Sequence, residues 1–416
     1  MSFRARLVLS ASEFSPVKLT TVDLPRRIRS NASRANGFLH ALLLFVFPGV
    51  WGMRFLLVGQ ALPNYEGDEA CQACHTEIVT SYLGTPHHLT SRAPTKESIL
   101  GSFAGSENIL RTANPALYFR MESKPDGFYE KAVWMPPATN VDRMERIDIV
   151  IGSGRVGQTD LYWKNDHLFQ LPVSYWVDLG TWVNSPGYRD STANFDRPVV
   201  PRCLECHATY AAGVGPPASS NQYKRESLAL GIPCERCHGA ARQHAEAMSA
   251  KRAELRIAKL ATMTGHRQMD VCGQCHGGRR FPVRASFSYV PGEPLDKFYV
   301  RDPASSSASP DVHGNQVALL QMSRCYQAAK LTCATCHDVH RNQRDAATFS
   351  DRCVECHAPR TCGEFPELKE QILKRCVDCH LPVQASNLII SNFRGKQRER
   401  WFGVTGQKFM ASRRAR

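Results

Sequence analysis

Between residues 117 and 176, apolar and polar positions alternate in short runs. Leu117–Glu122, Gly127–Trp134, Arg146–Ile151, Thr159–Lys164 and Leu168–Trp176 are rich in β-branched and aromatic residues. Turn-forming groups such as Pro125-Asp126-Gly127 and Gly152-Ser153-Gly154 separate them. Period-two runs bounded by such turns predict strands of a small antiparallel sheet. From residue 199 onward the pattern predicts short helices joined by Gly/Pro loops at 213–220, 291–294 and 303–310. Ala240–Leu260 is the best long helix, with few breakers and many Ala, Arg, Glu and Lys. Near the N-terminus, an Arg-rich stretch at 26–36 precedes an apolar run from Phe38 to Gly52, and small residues Gly59 and Ala61 follow. Basic, then apolar, then small is the order of a secretory signal. The alternative is a membrane anchor, but the run is short for a span and Arg54 interrupts it.

Cysteine changes this picture. Of sixteen Cys, fourteen fall into seven C-x-x-C pairs, and His follows every pair at once. The pairs are Cys71/Cys74 with His75, Cys203/Cys206 with His207, Cys234/Cys237 with His238, and Cys272/Cys275 with His276. Cys333/Cys336 with His337, Cys353/Cys356 with His357 and Cys376/Cys379 with His380 complete the set. Only fifteen of 416 residues are His, so chance does not place one after each pair. C-x-x-C-H is the attachment signature of c-type haem. Thiols at this spacing share one helical turn and reach the porphyrin vinyl groups as thioethers, and the next residue sets its imidazole under the iron. Zinc sites also use C-x-x-C but do not need His after each second Cys, and thioredoxin-like motifs use the pair once. Seven haems c therefore become the expected cofactors, with the seven motif histidines as proximal ligands.

The haems reshape the charge argument. The formal net charge of +14 invites a nucleic-acid partner. Removing residues 1–61 leaves about +8, and fourteen propionates against seven oxidised iron porphyrins bring the holoprotein close to neutral. Nucleic acid is thereby rejected as a partner. The basic side chains instead neutralise propionates, and a local basic surface can steer an acidic redox partner protein. The tail from Asn392 is again basic and reads as a solvated tail.

The motifs are unevenly spaced, one at 71–75 and six between 203 and 380, with the strand-rich stretch in the gap. The expected fold is mainly α and irregular, a multihaem cytochrome c with a haem-packed core, with a small antiparallel β insert after the first motif. The expected divisions are 1–61 (signal or anchor), 62–115 (first haem segment), 116–198 (haem-free insert), 199–390 (six-haem domain) and 391–416 (tail). Export to the periplasm or cell surface follows from the signal, and membrane association through the N-terminal segment stays open.

Cys71–His88, CQACHTEIVTSYLGTPHH, resembles the opening of cytochromes of the c-552/c-554 type. Gly231–Gly239 and Cys272–Gly277 are similar to later haem segments of that family. The resemblance covers a tetrahaem core of the motifs at 71, 203, 234 and 272, and implies that His87, in a Thr-x-His position, is an axial ligand. The three C-terminal motifs go beyond that pattern and look like the doubled modules of larger multihaem cytochromes.

A six-coordinate haem needs a second axial ligand. With His40 in the signal, seven histidines remain beside the proximal ones: His87, His88, His167, His244, His266, His313 and His340. Candidates for distal ligation are His87, His88, His244, His266, His313 and His340. His167, at a strand start in the haem-free insert, reads better as a surface or hydrogen-bonded residue, which leaves Met322 or an open iron for one haem. Cys325 and Cys362 are left over and can pair in an oxidising compartment. The leading function is electron transfer with no catalytic residue. The alternative is a reductase or oxidase of a small nitrogen or sulfur compound at one open haem, with Arg279-Arg280 as a candidate anion site. A third reading makes the insert a docking module.

Overall fold

The computed structural model describes residues 64–214, 220–252, 257–303, 311 and 314–381, with short stretches between 383 and 407. The expected signal, residues 1–61, lies outside the described residues, as does most of the basic tail. Among the described residues no helix is long and apolar enough to cross a membrane.

The stretch from Ser91 to Pro198 holds ten strands: β1 (Ser91–Arg92), β2 (Ile109–Arg111), β3 (Leu117–Lys124), β4 (Gly127–Trp134), β5 (Arg143–Arg146), β6 (Ile149–Ile151), β7 (Gly157–Lys164), β8 (His167–Trp176), β9 (Thr181–Asn184) and β10 (Arg197–Pro198). They form two antiparallel sheets. One has the order β1-β6-β7-β8-β10 with β9 also on β8, and the other has the order β2-β3-β4-β5. The run Arg146–Ile151 does not stay in one strand. It turns the corner between the sheets, with Ile147 buried at the bend and Asp148 accepting from the Trp163 N–H at 2.8 Å.

Alternation sets which faces meet. Along β3, Leu117, Phe119 and Met121 point inward. They pack against Val150, Tyr162, Leu171, Val173 and Trp182 of the facing sheet. The facing sheet is apolar on its other side too. There Ile149, Ile151, Leu161 and Leu168 pack against Leu204, Ala208, Tyr223 and Phe287 from the haem-motif region. The result is three layers: sheet, sheet, and helix α3 (Pro201–His207) with its neighbours. Burial on both faces explains why β6 reads as a continuous apolar run rather than an alternating one.

The remaining helices are short. α1 (Asp68–Gln72) and α2 (Thr76–Tyr82) precede the sheets. After α3 come α4 (Cys234–His238), α5 (Arg242–Ser249), α6 (Gly265–His276), α7 (Gln316–Gln321), α8 (Arg324–Ala329), α9 (Cys333–Cys336), α10 (Ala346–Val354), α11 (Phe365–Leu368) and α12 (Cys376–His380). Strand pairs recur between them, β11 (Ala208–Tyr210) with β12 (Ala229–Leu230), and β13 (Arg280–Pro282) with β14 (Tyr299–Arg301).

The expectation of a mainly α and irregular fold is therefore corrected. The chain is a mixture of helix and antiparallel strand, and the insert is a two-sheet body rather than a small sheet. Two physical reasons account for this. A C-x-x-C-H motif needs little more than one helical turn, so seven motifs supply little helix. The β-branched and aromatic runs of the gap, in contrast, are long enough to bury two facing sheets. The expected helix Ala240–Leu260 also stops early. The Arg252 N–H reaches the Ala247 carbonyl at 2.8 Å and the Lys251 N–H reaches Met248 at 3.0 Å, with Lys251 at φ +54°, a Schellman ending.

Side-chain core is unevenly distributed. The sheets enclose a cluster running from Ile99 to Phe195. Across residues 324–381, which carry three motifs, Ile372 and Val377 are the buried apolar side chains.

Candidate functional site

Each motif rides on a helix end, and carboxylates inside or beside the motifs tie the helices together. Asp68, the first residue of α1, accepts from the Cys234 N–H at the start of α4 at 3.1 Å. Glu235 of α4 accepts from the Glu66 and Gly67 N–H groups ahead of α1, both at 2.9 Å, and from Ala241 at 2.8 Å. The two helices cap one another, each placing a carboxylate where free N–H groups and the positive dipole end favour it. Glu205 of α3 is fully buried. It accepts from the Phe287 N–H at 3.0 Å, the Tyr299 hydroxyl at 2.9 Å and Arg202 at 3.1 Å. Arg202 donates to the Gln274 carbonyl at 2.6 Å and Arg236 to the Glu205 carbonyl at 2.8 Å, which joins α3 to α6 and α4.

These ties bring motif cysteines into contact. The thiols of Cys71 and Cys234 lie in hydrogen-bonding reach, as do those of Cys206 and Cys275, Cys272 and Cys333, and Cys353 and Cys376. Cys237 is close enough to Cys272, and Cys336 to Cys353, to interact electrostatically. Starting at Cys71, the motifs follow one another through 234, 272, 333 and 353 to 376, with 203 branching from 272. Among the described residues no group of three or more His, Cys, Asp or Glu side chains converges as a tetrahedral zinc site requires.

Not every motif cysteine shares in these contacts. Cys74, Cys356 and Cys379, expected as haem-binding residues, are exposed and enter none of the thiol contacts just described, and Cys203 is likewise exposed. Residues three apart on a helix fall about 60° short of a full turn, so the two thiols of a motif diverge. In the motifs at 71, 353 and 376 the first cysteine turns to the adjoining motif and the second turns to the surface. The haem-binding role of Cys74, Cys356 and Cys379 therefore rests on the C-x-x-C-H pattern and not on a buried pocket around them.

The motif histidines carry the features of metal ligands. His238 has its Nδ1 at 2.8 Å from the Ala258 carbonyl, His207 at 3.2 Å from the Thr90 hydroxyl and His276 at 3.3 Å from the Gln316 amide oxygen. An acceptor at Nδ1 fixes the tautomer and leaves the Nε2 lone pair for iron. The early stop of α5 turns the chain back so that Ala258 reaches His238. The side chains of His75, His276, His337, His357 and His380 are exposed, as is His87. For His87 and His276 this exposure is to space with protein on most sides. Burial, helped by His276 and His337, pushes the pKa of His87 down to about 4, and burial also lowers His276. Burial, with His276 and Arg155 nearby, lowers His337, and burial with His238 nearby lowers His340. Neutral imidazoles lining open, protein-surrounded space fit a flat apolar metallated group, because a ligating His must be unprotonated.

The candidate distal residues fall in different places. His87 lies with its ring centre 6.1 Å from that of His276, the planes crossed at 86°. His340 lies 6.1 Å from His238 with planes 18° apart. His88 pairs through Nδ1 with Asp68 at 3.2 Å and sits edge-on to Tyr82. His244 is half-buried on α5 and His266 is exposed at the start of α6. His167 pairs with Asp166 at 2.9 Å on β8. His313 lies outside the described residues, and Met322 is exposed. Arg279 pairs with Asp302 at 3.4 Å. Cys325 and Cys362 are both free thiols, so the pairing open to them is not formed. Sequence reasoning missed Glu205, Glu235 and the Nδ1 acceptors Thr90, Ala258 and Gln316. A carboxylate between two motif cysteines was the one visible hint, while the acceptors come from distant segments with no signature.

The family model of cytochrome c554 and c-prime matches residues 187–239. Over this segment the chain is similar to that family of c-type cytochromes. The segment contains the motifs at 203 and 234 and the lead-in Gly231–Pro233. A c-type cytochrome holds haem c through its cysteines and carries electrons. No curated protein matches the chain. Among solved structures, that of the outer cell wall cytochrome OcwA is similar over 80% of each chain, with 17% identity and a TM-score of 0.49.

Proposed function

We propose that this chain is an exported multihaem cytochrome that passes electrons along seven covalently bound haems. The carrying observation is the nearness of motif cysteines to those of the next motif, in hydrogen-bonding reach for Cys71–Cys234, Cys206–Cys275, Cys272–Cys333 and Cys353–Cys376. Thioether bonds at neighbouring cysteines would hold attached porphyrins side by side, the motif histidines would hold their irons, and the bound haems would supply one-electron redox chemistry. The residues' part is to hold order: Asp68, Glu235, Glu205 and Arg202 fix the motif helices against one another, and acceptors at Nδ1 orient the proximal imidazoles.

The basic, apolar and small segments at 26–61 support export to the periplasm or cell surface, where redox partner proteins are met. Reductive titration tests the reading. Complete reduction should take seven electrons per chain, with carbon monoxide binding to no more than one haem in seven. Uptake of four electrons or fewer would remove the series, and carbon monoxide binding at several haems would favour the alternative of an enzyme with open irons.

A further inference from the structure

Two of the ring pairs have the separation of axial ligand pairs. Nitrogens bound about 2 Å from one metal on opposite sides put the two ring centres about 6 Å apart. His87 and His276 stand at 6.1 Å, as do His340 and His238. We infer that His87 completes the haem carried by Cys272 and Cys275, and that His340 completes the haem carried by Cys234 and Cys237. The first pair is crossed and the second near parallel. This rests on the haem reading above.

Each assignment has independent anchors. His340 is brought to α4 from beyond α9 by its own backbone, whose carbonyl accepts from the Ser81 hydroxyl at 2.8 Å. Tyr82, the next residue, sits edge-on to His340 and beside Cys234 and Cys237, so one space is lined by the motif cysteines, His340 and Tyr82. Tyr82 is not itself the ligand, because its hydroxyl is committed to the Ile232 carbonyl. The His87 carbonyl accepts from the Ile232 N–H at 3.1 Å. Gly231, at φ +74°, lets the chain pass the His88 carbonyl so closely that a Cβ would stand 2.5 Å from that oxygen. The turn that aims His87 is therefore clamped from behind. His337 is a further neighbour of His87 and His276, but it is the proximal residue of its own motif and packs against Phe349 with ring centres at 5.0 Å.

The ring angles carry a consequence. Parallel imidazoles donate into the same iron d orbital and split it from its partner, which gives a rhombic low-spin ferric centre. Crossed imidazoles donate into different orbitals, leave the two nearly degenerate and give a low-spin centre with a very large maximum g value. The fold therefore builds two electronically distinct centres at adjacent motifs, 234 and 272.

The test is low-temperature EPR of the fully oxidised holoprotein, with haem counted by intact mass on the same sample. The wild type should show at least one large-g low-spin signal and at least one rhombic low-spin signal. His87→Met should remove one haem equivalent of the large-g signal, and His340→Met one equivalent of the rhombic signal, each with all seven haems still attached. Either variant keeping seven haems with both signals undiminished overturns the pairing. A wild type lacking either class overturns it without any variant, so a variant that fails to fold does not shield it. A mass without haem would instead sink the haem reading itself.

Discussion

Replacing Glu205 by Ala tests whether the motif helices are held by buried carboxylates. Glu205 has no exposed surface, and its three partners come from three places: α3 itself, the loop at Phe287 and strand β14. The Ala variant leaves the Phe287 N–H and the Tyr299 hydroxyl without this acceptor, at about 1–3 kcal/mol each. Arg202 loses its carboxylate but keeps the Gln274 carbonyl and its place 4.9 Å over the Tyr299 ring, and it is partly exposed, so its share is small. The expected cost is about 3–5 kcal/mol in all. Glu205→Gln keeps an acceptor in place and should cost about 1–2 kcal/mol. Guanidinium unfolding of the holoprotein, followed by circular dichroism and by the haem absorbance, gives both values, provided the slope stays constant. A loss below about 1 kcal/mol for Ala, or equal losses for Ala and Gln, would refute the idea that this carboxylate ties α3 to its neighbours.

Two further outcomes are expected. Asp160 and Glu130 are buried in the two-sheet body, and burial raises Asp160 to about 7 and Glu130 well above the usual carboxylate range. A raised carboxyl pKa means that the folded chain holds protons the unfolded chain has released. The stabilising contribution is therefore full below about pH 4 and is lost as pH rises towards 7, by up to about 4 kcal/mol for Asp160. Asp160→Asn should flatten that decline and raise stability at pH 8, and an unchanged profile of unfolding midpoint against pH would contradict it. Gly231→Ala forces an unfavourable φ and a clash with the His88 carbonyl, so it should cost about 2 kcal/mol or more in unfolding free energy, and a neutral result would show that the His87–His88 turn yields.

The strands were legible because alternation and turn residues are local properties. Leu117–Lys124, Gly127–Trp134 and His167–Trp176 lie where period-two runs put them. How those strands divide into two sheets was not legible, since a corner at Ile147–Asp148 looks like the middle of one run. Helix content was overread for a related reason. Ala240–Leu260 has the composition of a helix, but the chain turns at Lys251 to bring Ala258 to His238, and that demand is tertiary. The seven C-x-x-C-H motifs were legible in the sequence because each is a local pattern. Which thiol of a pair meets the next motif was not, and neither was the surface position of Cys74, Cys356 and Cys379, because both depend on how the motif helices pack. Which His faces which motif was hidden too, because His340 and His238 are far apart in sequence and meet through Ser81, Tyr82 and Ile232. The carboxylates of Asp68 and Glu235 likewise act across the fold on each other's helix.

The proposed electron path requires a haem on all seven motifs. Intact mass of the exported, denatured protein measures this directly, because thioether bonds survive unfolding. The mass should exceed that of the polypeptide by seven haems, and haem staining should persist after denaturing electrophoresis. An excess of four haems or fewer would break the series between Cys71 and Cys376 and contradict the account.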